Sequence, residues 1–511
     1  MSYNRMLLYK YSALKKTLFT TLLFCLSFWL AAQKSNSKPN VLIIFADDLG
    51  WADLSCYGST FYETPHLDTL ALGGTRFTHA YATSPVCSPT RASLMTGKYP
   101  VKTGVTDWIP GRQANGKAKP FEKMVGPETA YELSLNETTL AEQVKKSGYN
   151  TFFAGKWHLG EEEKYWPESQ GFQSNIGGWS KGAPVGKTND TTGGFFTPYG
   201  NPRLTDGPPG EYITDRLADE CIRFLDDVKG EPFLMLYSLY AVHNPMQAPT
   251  ALVQKYERKR MGILPAGTSA LVKDEPWMKY QDDWQRRTIQ EHAVYAAMVE
   301  NMDTNIGRIL AKLKEKGLYE NTMIIFTSDN GGLSTAEGSP TVNGPLRAGK
   351  GWLYEGGIRV PFILYWQGKI LQNFSSDLPI TIADIFPTVA KAVDEHYRPE
   401  PSIDGHDMLH LLKYPVKYKK RTLYWHYPHY SNQGGKPGAA IRKGNWKLTY
   451  NYEDGSIELY DVLKDVGERT DLSTKNKKIA RMLHKDLREW LKSRNATAPV
   501  INRDHRTVSD S

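Results

Sequence analysis

The sequence predicts an α/β protein: a central, mostly parallel sheet flanked by helices, with a smaller antiparallel subdomain at the C-terminal end. Three observations predict it. Four short apolar runs end abruptly in polar clusters, segments of helical period lie between them, and beyond about residue 386 the texture changes to short strands and tight turns. Alternation of strands and helices produces a parallel sheet covered on both faces.

The four runs are 41–45 before Ala-Asp47-Asp48, 151–154 before Gly-Lys156-Trp-His158, 233–237 leading to His243, and 323–327 before Ser-Asp329-Asn330-Gly-Gly. Continuous apolar runs of about five residues suit strands buried on both faces. Between them, Ile213, Leu217, Cys221, Leu225 and Val228 recur at helical spacing, as do Val294, Met298, Met302, Ile306 and Leu310, with Gly317 as a stop. Leu140 and Val144 mark a shorter helix, with Asn136 expected as its cap and Gly148 near its end. In the C-terminal part, 422–427, 439–442, 446–450 and 457–460 read as short strands, and 477–493 as a closing helix. The expected organisation is a main domain over 38–385, a C-terminal subdomain over 386–495 and a tail over 496–511. Long Gly/Pro/polar stretches at about 105–130, 160–210 and 244–290 are expected to be loops over the site.

Residues 1–32 are expected to be a signal peptide: Arg5, Lys10, Lys15 and Lys16 precede an apolar run that ends in Ala31-Ala32. The run is short for a bilayer span, so export to the periplasm or medium is expected rather than stable membrane insertion. Without those four basic residues the formal charge falls from +8 to +4, too small an excess to indicate a nucleic-acid partner. Cys56, Cys87 and Cys221 remain, an odd number for an exported chain, so disulfide stapling is not the stabilising strategy.

In parallel α/β sheets, ligands bind beyond the carboxyl ends of the strands, and all four polar clusters fall there. Asp47, Asp48, Asp329 and Asn330 make an all-oxygen set suited to Ca²⁺ or Mg²⁺, although either acidic pair alone also reads as a solvated turn or helix cap. Lys156, His158 and His243 would grip an anion and move a proton there; singly, each also reads as structural. Lys350 lies in a Gly-rich loop. Cys87 opens Cys-Ser-Pro89-Thr-Arg91, with Pro89 in a first helical turn and Gly97 at the end, so it reads as a helix N-terminal residue. That position suits an activated thiolate; a buried, inert cysteine is the other reading.

Cys87-Ser-Pro89-Thr90-Arg91 resembles the signature of the formylglycine-dependent (type I) sulfatases, with Thr90 where Ser is more usual. Asp47-Asp48, Gly155-Lys156-Trp-His158-Leu-Gly, His243-x-Pro245, Asp329-Asn330-Gly-Gly, Gly349-Lys350 and Glu355-Gly-Gly-Ile-Arg359-Val-Pro resemble the family's other motifs in the same order. The resemblance runs from about Pro39 to about Leu472. It implies an alkaline-phosphatase-like fold and hydrolysis of sulfate esters, as in exported bacterial carbohydrate sulfatases. It also implies oxidation of Cys87 to formylglycine by a formylglycine-generating enzyme, and one divalent metal, usually Ca²⁺ with Mg²⁺ the alternative. Asp47, Asp48, Asp329, Asn330 and residue 87 would be its ligands. One hydroxyl of the hydrated aldehyde would attack sulfur. Arg91, Lys156 and Lys350 would hold the sulfate, His243 would protonate the departing alcohol, and His158 would deprotonate the second hydroxyl to eject sulfate. A phosphate mono- or diester hydrolase of the same superfamily, or an unmodified glycan-binding homologue, are the alternatives. Trp108, Trp166, Trp179, Tyr427 and His429 are candidate sugar-stacking side chains, although each also reads as an ordinary packed aromatic.

Overall fold

The computed structural model describes residues 38–506 apart from 114–115, 187–191, 266, 275–283 and 419–420. The expected signal peptide over 1–32 and the end of the tail lie outside the described residues. In chain order the main sheet comprises β1 (Asn40–Ala46), β2 (Thr75–Phe77), β3 (Asn150–Gly155), β4 (Ser174–Ile176), β5 (Phe233–Ser238), β6 (Thr322–Ser328), β7 (Phe362–Tyr365) and β8 (Phe374–Ser376). Their spatial order is β8-β2-β7-β6-β1-β5-β3-β4. Only β7 opposes its neighbours; the remaining pairings run parallel. The four strands expected from apolar runs are therefore the contiguous centre, β6-β1-β5-β3.

Both faces of that centre are buried, which is why its strands read as unbroken apolar runs rather than alternating ones. Leu42 and Ile44 of β1 enter one core cluster, and Val41, Ile43 and Phe45 the other. The first cluster is closed by α4 (Ile213–Asp227) and α6 (Ala293–Glu315), numbered after α1 (Pro65–Gly73), α2 (Cys87–Thr96), α3 (Leu140–Lys145) and α5 (Thr250–Arg260). Ile213, Leu217, Cys221 and Leu225 are buried along α4, and Met298, Met302, Ile306 and Leu310 along α6, matching the expected spacing. The second cluster takes α2, α3 and α7 (Ile385–Val393). The cap of α3 is Thr139, not Asn136: its hydroxyl accepts from Glu142 N–H while the Glu142 carboxylate accepts from Thr139 N–H. This reciprocal capping box satisfies two end donors, which Asn136, three residues earlier, does not reach.

The four C-terminal strands form one antiparallel sheet, β9 (Thr422–Tyr427), β10 (Gly438–Lys443), β11 (Trp446–Asn451) and β12 (Ile457–Asp461), in sequence order. The closing helix α8 (Lys477–Ser493) packs on it through Ala480, Leu483, Leu487 and Trp490. Among the described residues, no helix is long and apolar enough to cross a membrane.

Candidate active site

Parallel register brings the carboxyl ends of the central strands level: Ala46 pairs with Ser328, Phe45 with Ser238, and Ser238 with Gly155. The residues that follow therefore converge on one edge. Asp48 and His158 both turn off their strands with φ of 59°, a left-handed conformation uncommon outside glycine.

Charges at this edge are buried and interlocked. The Lys156 ammonium donates to both oxygens of Asp47 at 2.8 Å. Arg91, on α2, donates through Nε (3.0 Å) and Nη2 (2.7 Å) to Asp329 Oδ2, and through Nη1 to Ser238 Oγ (2.8 Å) and Lys156 O (3.0 Å). Lys350 donates to Asp48 Oδ2 at 2.7 Å and lies 3.2 Å from His243 Nε2. Asn330 Nδ2 donates to Asp48 Oδ1 at 2.8 Å. Burial alone would raise the Asp48 carboxyl, but Lys350, then His243 and Lys156, bring it well below the usual carboxylate range.

Cys87 opens α2, whose ten residues are all buried and which ends at Gly97, φ 68°. Its Sγ groups with carboxylate oxygens of Asp47 and Asp329, and separately with Asp48 and His243, each set lying within 4.8 Å of one another. Burial pushes the thiol up to about 11, with Lys156 and Lys350 pulling against it. Burial thus works against the thiolate that its helix N-terminus suggests. Three carboxylates within this cluster suit a hard cation. The Asn330 Oδ1 is buried with no hydrogen-bond partner, as an unsatisfied oxygen ligand would be.

His158 Nε2 lies 2.6 Å from Ile109 O, so Nε2 carries the proton; the buried Nδ1 has no partner and is a bare base. Burial, then Lys156, drives its pKa well down. A Cβ at Gly182 would fall 2.4 Å from the imidazole, so only glycine fits there. His243 Nδ1 lies 2.8 Å from Asn244 O, leaving Nε2 to accept from Lys350.

Cys87, His158, His243 and Lys350 line one cavity of about 350 Å³, with Trp108, Pro110, Ser180, Gln433 and others on its walls. Of the five aromatic candidates only Trp108 lines it. Trp166 is buried and donates to Gly160 O, and Trp179 packs against the second core cluster. Tyr427 is buried with its hydroxyl on Asp107, and His429 is buried against the Thr106 hydroxyl. Two of the three long stretches supply cavity walls, through residues 108–110 and 161–185. The third, 244–290, does not line the cavity among its described residues, and its apolar positions build α5 instead.

Sequence reasoning missed three residues at the edge. Ser238 joins Arg91 to the Lys156 carbonyl, accepting from the first and donating to the second. Asn343 Oδ1 accepts from Gly332 N–H (3.2 Å), and its Nδ2 donates to Gly332 O (2.8 Å) and Ala348 O (3.0 Å), clasping the loop after Asn330 to the loop before Lys350. Its Asn-Gly-Pro context signals only a turn. Glu337, on the cavity wall, carries no local signal at all.

Burial depresses the imidazoles of His429 to about 3 and His426 to about 4. Unfolded histidines protonate near pH 6.5, so on acidification the unfolded chain takes up protons first. Stability is then intact above about pH 6.5 and falls below it by about 1.4 kcal/mol per pH unit for each ring, until the folded pKa is reached. Urea midpoints measured between pH 7.5 and 5 are expected to decline, and His429→Gln to remove one ring's share of that slope.

The fold and this edge define an α/β protein whose buried, interlocked acidic and basic side chains gather beside a cavity that Lys350 lines. The sulfatase family pattern matches residues 39–395, and the pattern of the N-sulphoglucosamine sulphohydrolase C-terminal region matches 348–494. A sulfatase of Formosa agariphila is 31% identical, covering 92% of this chain and 91% of its own length. Human arylsulfatase A is 29% identical, covering 88% and 86%. The crystal structure of Ps i-CgsB in complex with k-i-k-neocarrahexaose superposes with a TM-score of 0.67 at 26% identity, covering 89% of this chain and 93% of that one. The chain belongs to the sulfatase family and is a sulfuric ester hydrolase.

Proposed function

We propose that the enzyme removes sulfate from sulfated carbohydrates, using as nucleophile the hydrated aldehyde formed by oxidation of Cys87. The observation that carries this reading is the clustering of residue 87 with Asp47, Asp48, Asp329 and His243 at a cavity that Lys350 also lines. Asp47, Asp48, Asp329, Asn330 and residue 87 would hold a divalent cation, Ca²⁺ or Mg²⁺, which when bound supplies a Lewis-acid centre for sulfate oxygens.

The chain's own groups supply the rest. Arg91, Lys156 and Lys350 present preorganised positive charge to the sulfate, stabilising the charge that develops there without reorganisation. Two hydroxyls on one carbon let residue 87 attack through one and release sulfate through the other, an exit that a serine would lack. His158 Nδ1, bare while Nε2 donates to Ile109 O, is suited to take the second hydroxyl's proton; His243 Nε2, which accepts from the Lys350 ammonium, would relay a proton from it to the departing alcohol. A carbohydrate substrate is supported by the oligosaccharide in the Ps i-CgsB complex and by the description of the C-terminal pattern. The basic-then-apolar 1–32 segment supports export, with a formylglycine-generating enzyme as partner in maturation.

Peptide mass spectrometry of the natively exported protein is expected to show residue 87 as an aldehyde. A panel of mono-sulfated sugars assayed for free sulfate is expected to contain substrates. Residue 87 found wholly as cysteine, together with no sulfate release from any ester, would refute the reading.

A further inference from the structure

We propose that the cavity wall selects a sugar whose substituents next to the sulfate ester are uncharged and rejects one carrying a second sulfate or a carboxylate there; this rests on the sulfated-carbohydrate reading above. The described lining residues outside the sulfate-binding set include three charged side chains: Glu161, Lys181 and Glu337. Glu161 and Lys181 lie 3.7 Å apart and offset each other. Glu337 is different. Its partners are two amides, Gln433 Nε2 donating to Oε1 at 2.6 Å and Asn244 Nδ2 to Oε2 at 3.4 Å. Amides fix a carboxylate in place without neutralising it. Outside the sulfate-binding set the remaining charge on the described wall is therefore negative, and it acts on the Lys350 ammonium that lines the same cavity.

The backbone is bent to present it. Ala336, Glu337, Gly338 and Ser339 have φ of 55°, 45°, 82° and 41°, four consecutive residues in the left-handed region. Such strain persists only where surrounding contacts impose it, and it gathers at functional positions. Here Ser339 is the anchor: its Oγ donates to Ser334 O (2.7 Å) and accepts from Arg287 N–H (2.8 Å). Through Asn244, Glu337 is tied to the residue after His243, so it flanks the position of the departing alcohol.

A carboxylate there keeps lone pairs free to accept from sugar hydroxyls, a charge-assisted bond roughly twice as strong as a neutral one. Glu337 is itself exposed, so an anionic substituent at the same place meets like charge that salt screens in part, and the discrimination is strongest at low ionic strength. Trp108 adds an apolar surface on the same wall, and Asn432 a neutral amide held by Arg112. The substrate class that fits is a mono-sulfated neutral sugar.

The test compares the mono-sulfated hexoside hydrolysed fastest in the panel above with the same hexoside bearing a second sulfate on the adjacent carbon. For the aldehyde-bearing wild-type protein, kcat/KM is expected to favour the mono-sulfated ester about tenfold or more. In Glu337→Gln, activity on the mono-sulfated ester falls while that on the disulfated ester rises, narrowing the ratio to within about threefold; Glu337→Lys reverses the preference. Sulfate released from both esters at similar kcat/KM by wild type, or a ratio unmoved in both variants, would overturn the charge selection alone. No release from any ester by protein with an aldehyde at residue 87 would overturn the carbohydrate-sulfatase reading, and this selection with it.

Discussion

Cys87→Ala and Cys87→Ser are expected to fold normally and to lose sulfate release by about 10⁴-fold or more, because neither can present two hydroxyls on one carbon. Folding survives because residue 87 is the first residue of α2, and the hydrogen bonds that fix the edge come from Arg91, Lys156, Lys350 and Asn330 rather than from Sγ. Removing one buried sulfur costs about 1 kcal/mol, small against the whole core. Sulfate release by purified variants, with thermal melts on the same samples, separates the two effects. Turnover by Cys87→Ala within tenfold of the wild type would refute residue 87 as nucleophile.

Lys447→Met is expected to destabilise the fold by about 3–5 kcal/mol, the cost of leaving buried carboxylates without their cation. Lys447 is fully buried between Glu355 (3.1 Å) and Glu468 (2.8 Å). Burial works against the Glu355 charge, but Lys447, with Arg359 and Arg442, holds its carboxyl below the usual range; Glu468 is pushed up by burial. Glu468 Oε2 also accepts from Glu355 N–H at 2.6 Å. The effect extends to the site. Glu355 opens a turn whose Gly356 N–H donates to Arg347 O, and the next residue, Ala348, two before Lys350, is the one whose carbonyl Asn343 holds. Activity is therefore expected to fall along with the urea midpoint. Lys443→Met, which breaks only the exposed pair with Asp486, is the control and should change stability by less than about 1 kcal/mol. Equal effects of the two substitutions would contradict the structural role assigned to Lys447.

Glu355 also shows how a motif can be legible while its work is not. Glu355-Gly-Gly-Ile-Arg359 stands out in the sequence beside the site motifs, yet among the described lining residues of the cavity it does not appear. Its carboxylate accepts from Tyr81 Oη (2.8 Å) and meets Lys447 of β11, so it joins the main sheet's surroundings to the C-terminal sheet.

The sequence by itself determined the four central strands and the chemistry at their ends. A strand buried on both faces must be apolar throughout, so 41–45, 151–154, 233–237 and 323–327 are visible as runs. Parallel pairing then obliges their polar successors to share an edge, wherever the helices run. Tertiary structure alone decided what flanks that centre and what closes the cavity above it. Strands β2, β7 and β8 have three, four and three residues, too few for a period to emerge, and β7 takes its antiparallel direction from its neighbours. The cavity wall gathers Trp108, Ser180, Glu337 and Gln433 from segments far apart in the chain. Whether Trp108 faces that space while Tyr427 is buried against Asp107 depends on contacts across hundreds of residues, and a local pattern carries no record of a partner so distant.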